Sequence, residues 1–331
     1  MALMTTTQTS FDQTQASHDK DGSLRQAIPY ARGGWCGGCD PEEAGREACR
    51  RLEDGEILFF EQIPFAFPAD DQDFLRKVRQ TDARYHKNIA YRPLRDRVTG
   101  IAKAHRDSER IQTIMRSFSE NAIAFTRDVL RPYADHLVVD YASFRPLQEL
   151  GRDVRQSARN DLLHVDNFPT RPTNGKRILR VFVNINPDEH RHWITGGPFH
   201  LIVPEWRHSL GVDELIAQAT SRVHSIKYAF AKTVSSLGIK MVARPPYDEV
   251  MLRMHHAMKS SDDLQKQCGR DEWSIPPGSC WMVFTDSVPH AVRSGQYALE
   301  QTFMVKPEGM LDRSKAPAAV LEEIAGRQLT V

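Results

Sequence analysis

The sequence lacks an excess of charge of either sign. Its 44 Lys and Arg stand against 43 Asp and Glu, a formal net charge of +1. A nucleic-acid partner would call for a basic excess, so that class of function is set aside. Cysteine is scarce: five residues, an odd number, do not make a disulfide framework and suit a reducing cytoplasm. No stretch of about 18 apolar residues is present, so no membrane-spanning helix is expected. Met1 to Gly22 has no apolar core of the kind a signal peptide needs. Its Thr, Gln, Ser and Asp read as a disordered polar tail, taken here as residues 1–28. No internal repeat stands out.

What is present is enough apolar residue, 40% of 331, for a sizeable core. Pro41 to Asp54 reads as a short polar helix, and Gly55 to Phe60 as a turn into a buried strand. Asp70 to Gln80 places Phe74, Leu75 and Val78 on one helical face. Arg110 to Leu130 is the clearest amphipathic helix, with Ile111, Ile114, Met115, Phe118, Ala122, Phe125 and Val129 at three- and four-residue steps. Arg131-Pro132 ends it. Strands are expected at 137–144, 177–185, 278–284 and 298–305. A helical insertion is expected at 212–237 and 247–268, with Met251, Met254 and Met258 packed in its core. A final helix is expected within 316–329.

Two distant segments carry the chemistry. His164-Val165-Asp166 places an imidazole and a carboxylate two residues apart, on the same side of an extended chain. His290 follows Pro289 just past an apolar strand. Two histidines and one carboxylate leave half of a metal's coordination sphere open, which is the donor set of non-haem Fe(II) oxygenases. Joining distant strands at one ion needs a double-sheet jelly roll or cupin-like barrel. The fold expectation is therefore mainly β with flanking helices. One domain over 29–331 is expected: helical and strand support at 29–159, a jelly-roll core at 160–310, and the helical insertion at about 209–270. His190 and His192 in the charged run DEHRHW are expected on a solvated loop, and His255-His256 on the insertion helix, neither pair being followed by a strand carboxylate two residues on.

A co-substrate with a carboxylate tail needs a cation deep in the barrel, and arginine offers a two-pronged fork. Arg180 sits amid Ile178, Leu179, Val181 and Phe182, where a charge is costly unless it is paired. It is the expected anchor, with Asn184 on the same face as a hydrogen-bonding partner. Cys36-Gly37-Gly38-Cys39 could bind zinc with two more ligands, but Cys49 and His86 follow no zinc spacing, and a Gly-rich loop with free thiols is the simpler reading.

The segments LEDGEILFF, KNIAYRP, SFRP, LLHVDNFPTRPTNGKRILRVFVNINP and SVPHAVRSGQYALEQTF resemble the Kdo hydroxylase family between about residues 55 and 305. The resemblance implies a double-stranded β-helix and an Fe(II)- and 2-oxoglutarate-dependent dioxygenase that consumes O2. It implies hydroxylation of the deoxy carbon of 3-deoxy-D-manno-oct-2-ulosonic acid (Kdo), giving Ko, in the lipopolysaccharide inner core. The acceptor would be Kdo-modified lipid A or its precursor, met in the cytoplasm at the face of the inner membrane. Iron ligation carries over to His164, Asp166 and His290. The common distal-strand arginine is missing here, and Arg180 resembles the alternative anchor of JmjC-like members. Kdo carries a carboxylate and lipid A carries phosphates, so Lys87, Asn88, Arg92, Arg145 and Arg159 are candidate substrate contacts. Phe65, Phe67 and Trp206 are candidate membrane-docking aromatics. Two other functions fit the same residues: a JmjC-like hydroxylase of another acceptor, and a non-enzymatic metal-binding cupin.

Overall fold

The computed structural model describes residues 40–78, 88–101, 105–149, 151, 155–268 and 271–331. The polar tail, Cys36, Cys39, His86 and Lys87 lie outside the described residues. Within them the strands, in chain order, are β1 (Leu58–Phe60), β2 (Ile89–Arg92), β3 (Arg97–Thr99), β4 (Leu137–Arg145) and β5 (Arg177–Asn184). The second half adds β6 (Arg191–Thr195), β7 (Asp271–Ile275), β8 (Cys280–Phe284), β9 (His290–Ser294) and β10 (Ala298–Val305). The α-helices are α1 (Pro41–Glu53), α2 (Ala69–Lys77), α3 (Ser108–Val129), α4 (Phe199–Trp206), α5 (Val212–Ala219), α6 (Arg222–Ser236), α7 (Pro246–Ser260), α8 (Asp262–Gln267) and α9 (Pro317–Ala325).

Two antiparallel sheets form the centre. The larger has the order β1-β8-β5-β10-β4-β2-β3, and the smaller is β7-β6-β9. Alternation in the apolar strands decides which side chains enter the space between the sheets. Leu179, Val181 and Val183 of β5 pack outward with α1 and α3, together with Cys280, Met282 and Phe284 of β8. Their neighbours Phe182, Trp281 and Val283 turn the other way, meeting Trp193 of β6 and Val292 of β9. Helix α3 covers the outer face with the apolar stripe its periodicity predicts, Ile111 to Val129.

The turn into β5 is built by its sequence. Asn174 and Gly175 both take positive φ, 51° and 82°, the conformation that Asn-Gly tolerates best. The carboxylate of Asp248, on α7, accepts from the amides of Thr173 (2.5 Å) and Asn174 (2.9 Å). The helical block thereby fixes the turn that aims β5.

Several expectations change. The nine helices hold more residues than the ten strands among the described residues, so "mainly β" understates the helical share. The region before residue 160 does more than buttress, because it supplies β1 to β4, and β4 lies beside β10 within the large sheet. The insertion starts earlier than expected: α4 to α8 occupy Phe199 to Gln267, between β6 and β7. Its first predicted helix is broken at Thr220-Ser221, where the Ser221 side chain caps α6 by accepting from the His224 amide. The methionine stripe of α7 is core, as expected. Phe65 and Phe67 pack against Phe118, and Trp206 packs against the helical cluster, so none of the three forms an outward docking surface.

Candidate metal centre

Backbone pairing brings the two distant segments together. The His164 amide donates to the His290 carbonyl (3.2 Å), and the His290 amide donates back to His164 (2.9 Å). This isolated bridge adds the His164 segment to the edge of β9. Two residues on, the Asp166 amide donates to the Thr285 carbonyl (2.7 Å). The period of two then sends His164 and Asp166 to one side while Val165 enters the helical core. Arg177, at the start of β5, holds the loop before His290 through Asp286 (2.9 Å) and Ser287 (2.7 Å).

The three donors face one point. Nε2 of His164 lies 3.9 Å from one Asp166 oxygen, and Nε2 of His290 lies 4.0 Å from the other. All three donor atoms fall within 4.8 Å of one another. Each histidine Nδ1 contacts the carbonyl two residues before it, Leu162 at 2.7 Å and Val288 at 3.0 Å. A carbonyl only accepts, so Nδ1 carries the proton and Nε2 keeps its lone pair. Burial holds both imidazoles below their ordinary range, and hence neutral. Burial by itself would raise the Asp166 carboxyl, but the Arg180 guanidinium, together with His290, His164 and a Thr285 hydrogen bond, outweighs it and keeps Asp166 ionised. Two neutral imidazoles and a carboxylate, buried and oriented from behind, fit a ferrous ion. Trp193 stacks on the His290 ring (5.3 Å, 17°), and His255 meets the His164 ring edge-on (4.9 Å).

A small pocket opens over these donors, lined by Arg145, Asn160, Phe182, Arg191, Trp193 and Val292, together with Arg180 and the trio. Arg180 is not idle there. Its Nη2 lies 2.9 Å from Asp166 and its Nη1 donates to Glu300 at 2.9 Å. Arg145 grips the same Glu300 oxygen at 2.7 and 3.0 Å. Burial opposes the Glu300 charge, and the two guanidinium groups overcome it. Arg191 differs: it is 1% exposed, its Nη1 donates to the Gly295 carbonyl (2.9 Å), and its Nε has no hydrogen-bond partner among the described residues. Burial, reinforced by Arg145, pushes it down to about 10.

Among the remaining candidates, Asn184 does not line the pocket. Its amide is 3.2 Å from the carbonyls of Glu189, Ile275 and Pro276, and its oxygen accepts from the Asn186 amide. That is a structural clamp. Asn184→Ala is expected to cost about 1–3 kcal/mol in urea unfolding while leaving the oxoglutarate KM unchanged. A raised KM at normal stability would restore the co-substrate role. Arg92 stacks on Tyr141, Arg159 pairs with Asp161, and Asn88 is half-buried ahead of β2; none lines the pocket. The residues that sequence reasoning missed are Arg191, Trp193, Asn160, Glu300 and His255. Asp188 to His190 form the exposed loop expected and His192 is exposed as well, but Arg191 begins β6, whose alternation hides Arg191 and Trp193 on the inward face. His255 donates toward the Val165 carbonyl (2.8 Å), a tertiary contact with no sequence signal.

Antiparallel sheets presenting two histidines and one carboxylate define the class of non-haem metal centres with a facial triad. Residues 38–328 match the family described as 3-deoxy-D-manno-oct-2-ulosonic acid (Kdo) hydroxylase, and the chain belongs to that family. No curated protein sequence matches it. Solved structures of the Kdo hydroxylase KdoO, a non-heme Fe(II) α-ketoglutarate dependent dioxygenase, are similar at 31% identity, covering 87% of this chain and 92% of that one. The TM-score is 0.74 for its complex with α-ketoglutarate and Fe(III), 0.75 with cobalt(II) and 0.74 for the apo form.

Proposed function

We propose that this protein is an Fe(II)- and 2-oxoglutarate-dependent dioxygenase that hydroxylates the deoxy carbon of Kdo on Kdo-modified lipid A, giving Ko. The observation that carries the reading is the convergence of His164, Asp166 and His290, each imidazole with its Nε2 free. Family membership supplies the sugar. Residues 40–331 act as one domain, and its two sheets, with the His164 segment added beside β9, are read as a double-stranded β-helix. Cytoplasmic action at the inner membrane follows from where that acceptor is made.

His164, Asp166 and His290 would hold the iron. When bound, the iron supplies coupled oxidative decarboxylation of oxoglutarate by O2 and hydroxylation of a substrate C–H bond. Arg180 keeps the Asp166 carboxylate charged and aimed, rather than serving as the free anchor expected from sequence. The anchor role suits Arg191. It shares the inward face of β6 with Trp193, which lies on His290, so it sits one alternation, about 7 Å, farther from the donors. That spacing suits the far carboxylate of a five-carbon diacid. Arg145, at the same rim, is free on no side that Glu300 occupies, and it closes the cationic wall. Phe182, Trp193 and Val292 exclude water from the pocket.

Mass spectrometry of Kdo-lipid A incubated with protein, iron, oxoglutarate and air is expected to show one added oxygen on the Kdo unit. Oxoglutarate turnover with no oxygen gained by Kdo would instead favour a JmjC-like acceptor, and no turnover with any substrate would favour a metal-binding cupin. Arg191→Met is expected to raise the oxoglutarate KM by at least about 100-fold, since it removes a charge-assisted carboxylate contact. Iron affinity should change little. If Arg180→Met produces that KM effect and Arg191→Met does not, the anchor is Arg180.

A further inference from the structure

Helix α6 turns its apolar stripe away from the protein. Val223, Ile226, Phe230 and Leu237 recur at helical steps and are 62%, 70%, 61% and 73% exposed. The inward side offers only Ala231 as a buried residue, flanked by half-buried His224 and Tyr228. A helix whose stripe serves the core does the reverse. The apolar surface continues past the helix into exposed Ile239, Met241 and Val242.

Charge is biased on the same segment. From Arg222 to Arg244 the chain carries Arg222, Lys227, Lys232, Lys240 and Arg244, with no Asp or Glu, although the whole protein is nearly neutral. At about 100° per residue, Arg222 falls on one side of the stripe and Lys227 on the other. The segment is also tied to the candidate centre. Arg244 donates to the Pro169 carbonyl through Nε (3.2 Å) and Nη2 (3.0 Å), three residues after Asp166.

We infer that α6 and residues 237–244 are a docking surface for an anionic lipid bilayer. The helix lies in the plane of the interface, its stripe among the upper acyl chains and its cations against lipid phosphates. A second copy of the chain fits less well, because a two-fold contact would set cations against cations with no acid between them. The inference deepens the function above and rests on its lipid-linked acceptor for a purpose, since docking would bring an insoluble substrate to the loop beyond Asp166.

The test is co-flotation of the full chain with vesicles of phosphatidylcholine alone or mixed with phosphatidylglycerol. Binding to the anionic vesicles is expected to be at least about tenfold stronger and to weaken with salt. The double variant Ile226→Ser, Phe230→Ser should lose at least about tenfold in partitioning, and Arg222→Glu with Lys227→Glu should lose the anionic preference. Both should keep the wild-type melting temperature and iron-dependent oxoglutarate consumption without acceptor. Absence of wild-type flotation, or unchanged flotation of the variants, overturns the inference. So does a wild-type dimer that the Ser variant dissociates with no vesicle binding. Loss of oxoglutarate consumption in the wild type would instead overturn the dioxygenase reading and leave the vesicle result standing.

Discussion

His164→Ala is expected to lower oxoglutarate-dependent turnover by at least about 1,000-fold, because the ion's stabilisation of developing charge is worth several kcal/mol. The remaining pair, Asp166 and His290, cannot fix an ion's open face. Iron content after purification should fall with activity, measured on the same sample. Folding should survive, because among the described residues the His164 side chain makes no tertiary hydrogen bond that alanine would leave broken: its Nδ1 contact is to Leu162, two residues away. The bridge to His290 uses backbone atoms and persists in the variant. Full iron content with normal turnover would show that His164 is not a ligand. Loss of the folded circular-dichroism signal would show that it is structural first, and His290→Ala then repeats the test.

Glu300→Ala carries the largest expected cost in stability, about 3–5 kcal/mol, because it leaves the buried Arg180 and the half-buried Arg145 guanidinium groups sharing too little negative charge. One Glu300 oxygen accepts from both Arg145 and Arg180. Among the described residues, Arg180 would keep an ion pair with Asp166 alone, the carboxylate meant for the metal. Iron affinity is therefore expected to fall as well, since Asp166 would be drawn further toward Arg180. Urea unfolding and iron titration read the two effects separately. Adding Arg145→Met to Glu300→Ala should recover part of the stability, because it removes one of the stranded cations. A loss below about 1 kcal/mol in the single variant would mean that water already screens the cluster.

The sequence shows some of this site plainly and hides the rest for physical reasons. Helix α3 was legible because seven apolar residues keep a helical period over its whole length. The β5 run was legible because its apolar content is continuous, and Arg180 stood out within it as a charge needing a partner. The partner could not be read locally. Glu300 lies on β10, diagonal to Arg180 across a register that pairs Arg180 with Thr302 and Phe182 with Glu300. Strand β6 escaped notice because charged residues dominate its start, and burial of Arg191 needs the other sheet to cover it. Strands β2, β3 and β7 are short, and the paired β2 and β3 sit at one edge of the large sheet, where weak patterning suffices. The trio of donors was visible as residue types, but their convergence depends on amides and carbonyls exchanged between distant segments. Exposed α6 falls within the helical insertion expected at 212–237, and which way it faces is hidden because a stripe facing outward has the same spacing as one facing in.

Thr195, the last residue of β6, pairs directly with Asp271, the first residue of β7. The chain leaves and re-enters the smaller sheet through a gap of about 5 Å. Everything from α4 to α8 hangs on that gap like a cassette between two fixed clips. Lengthening, trimming or exchanging α6 need not shift the register of either strand, nor the pairing of β6 with β9 that begins at His290, so long as α7 keeps Asp248 on the β5 turn and His255 against Val165. A lineage of such proteins could therefore change where it works and what it accepts while its oxidising chemistry stayed the same.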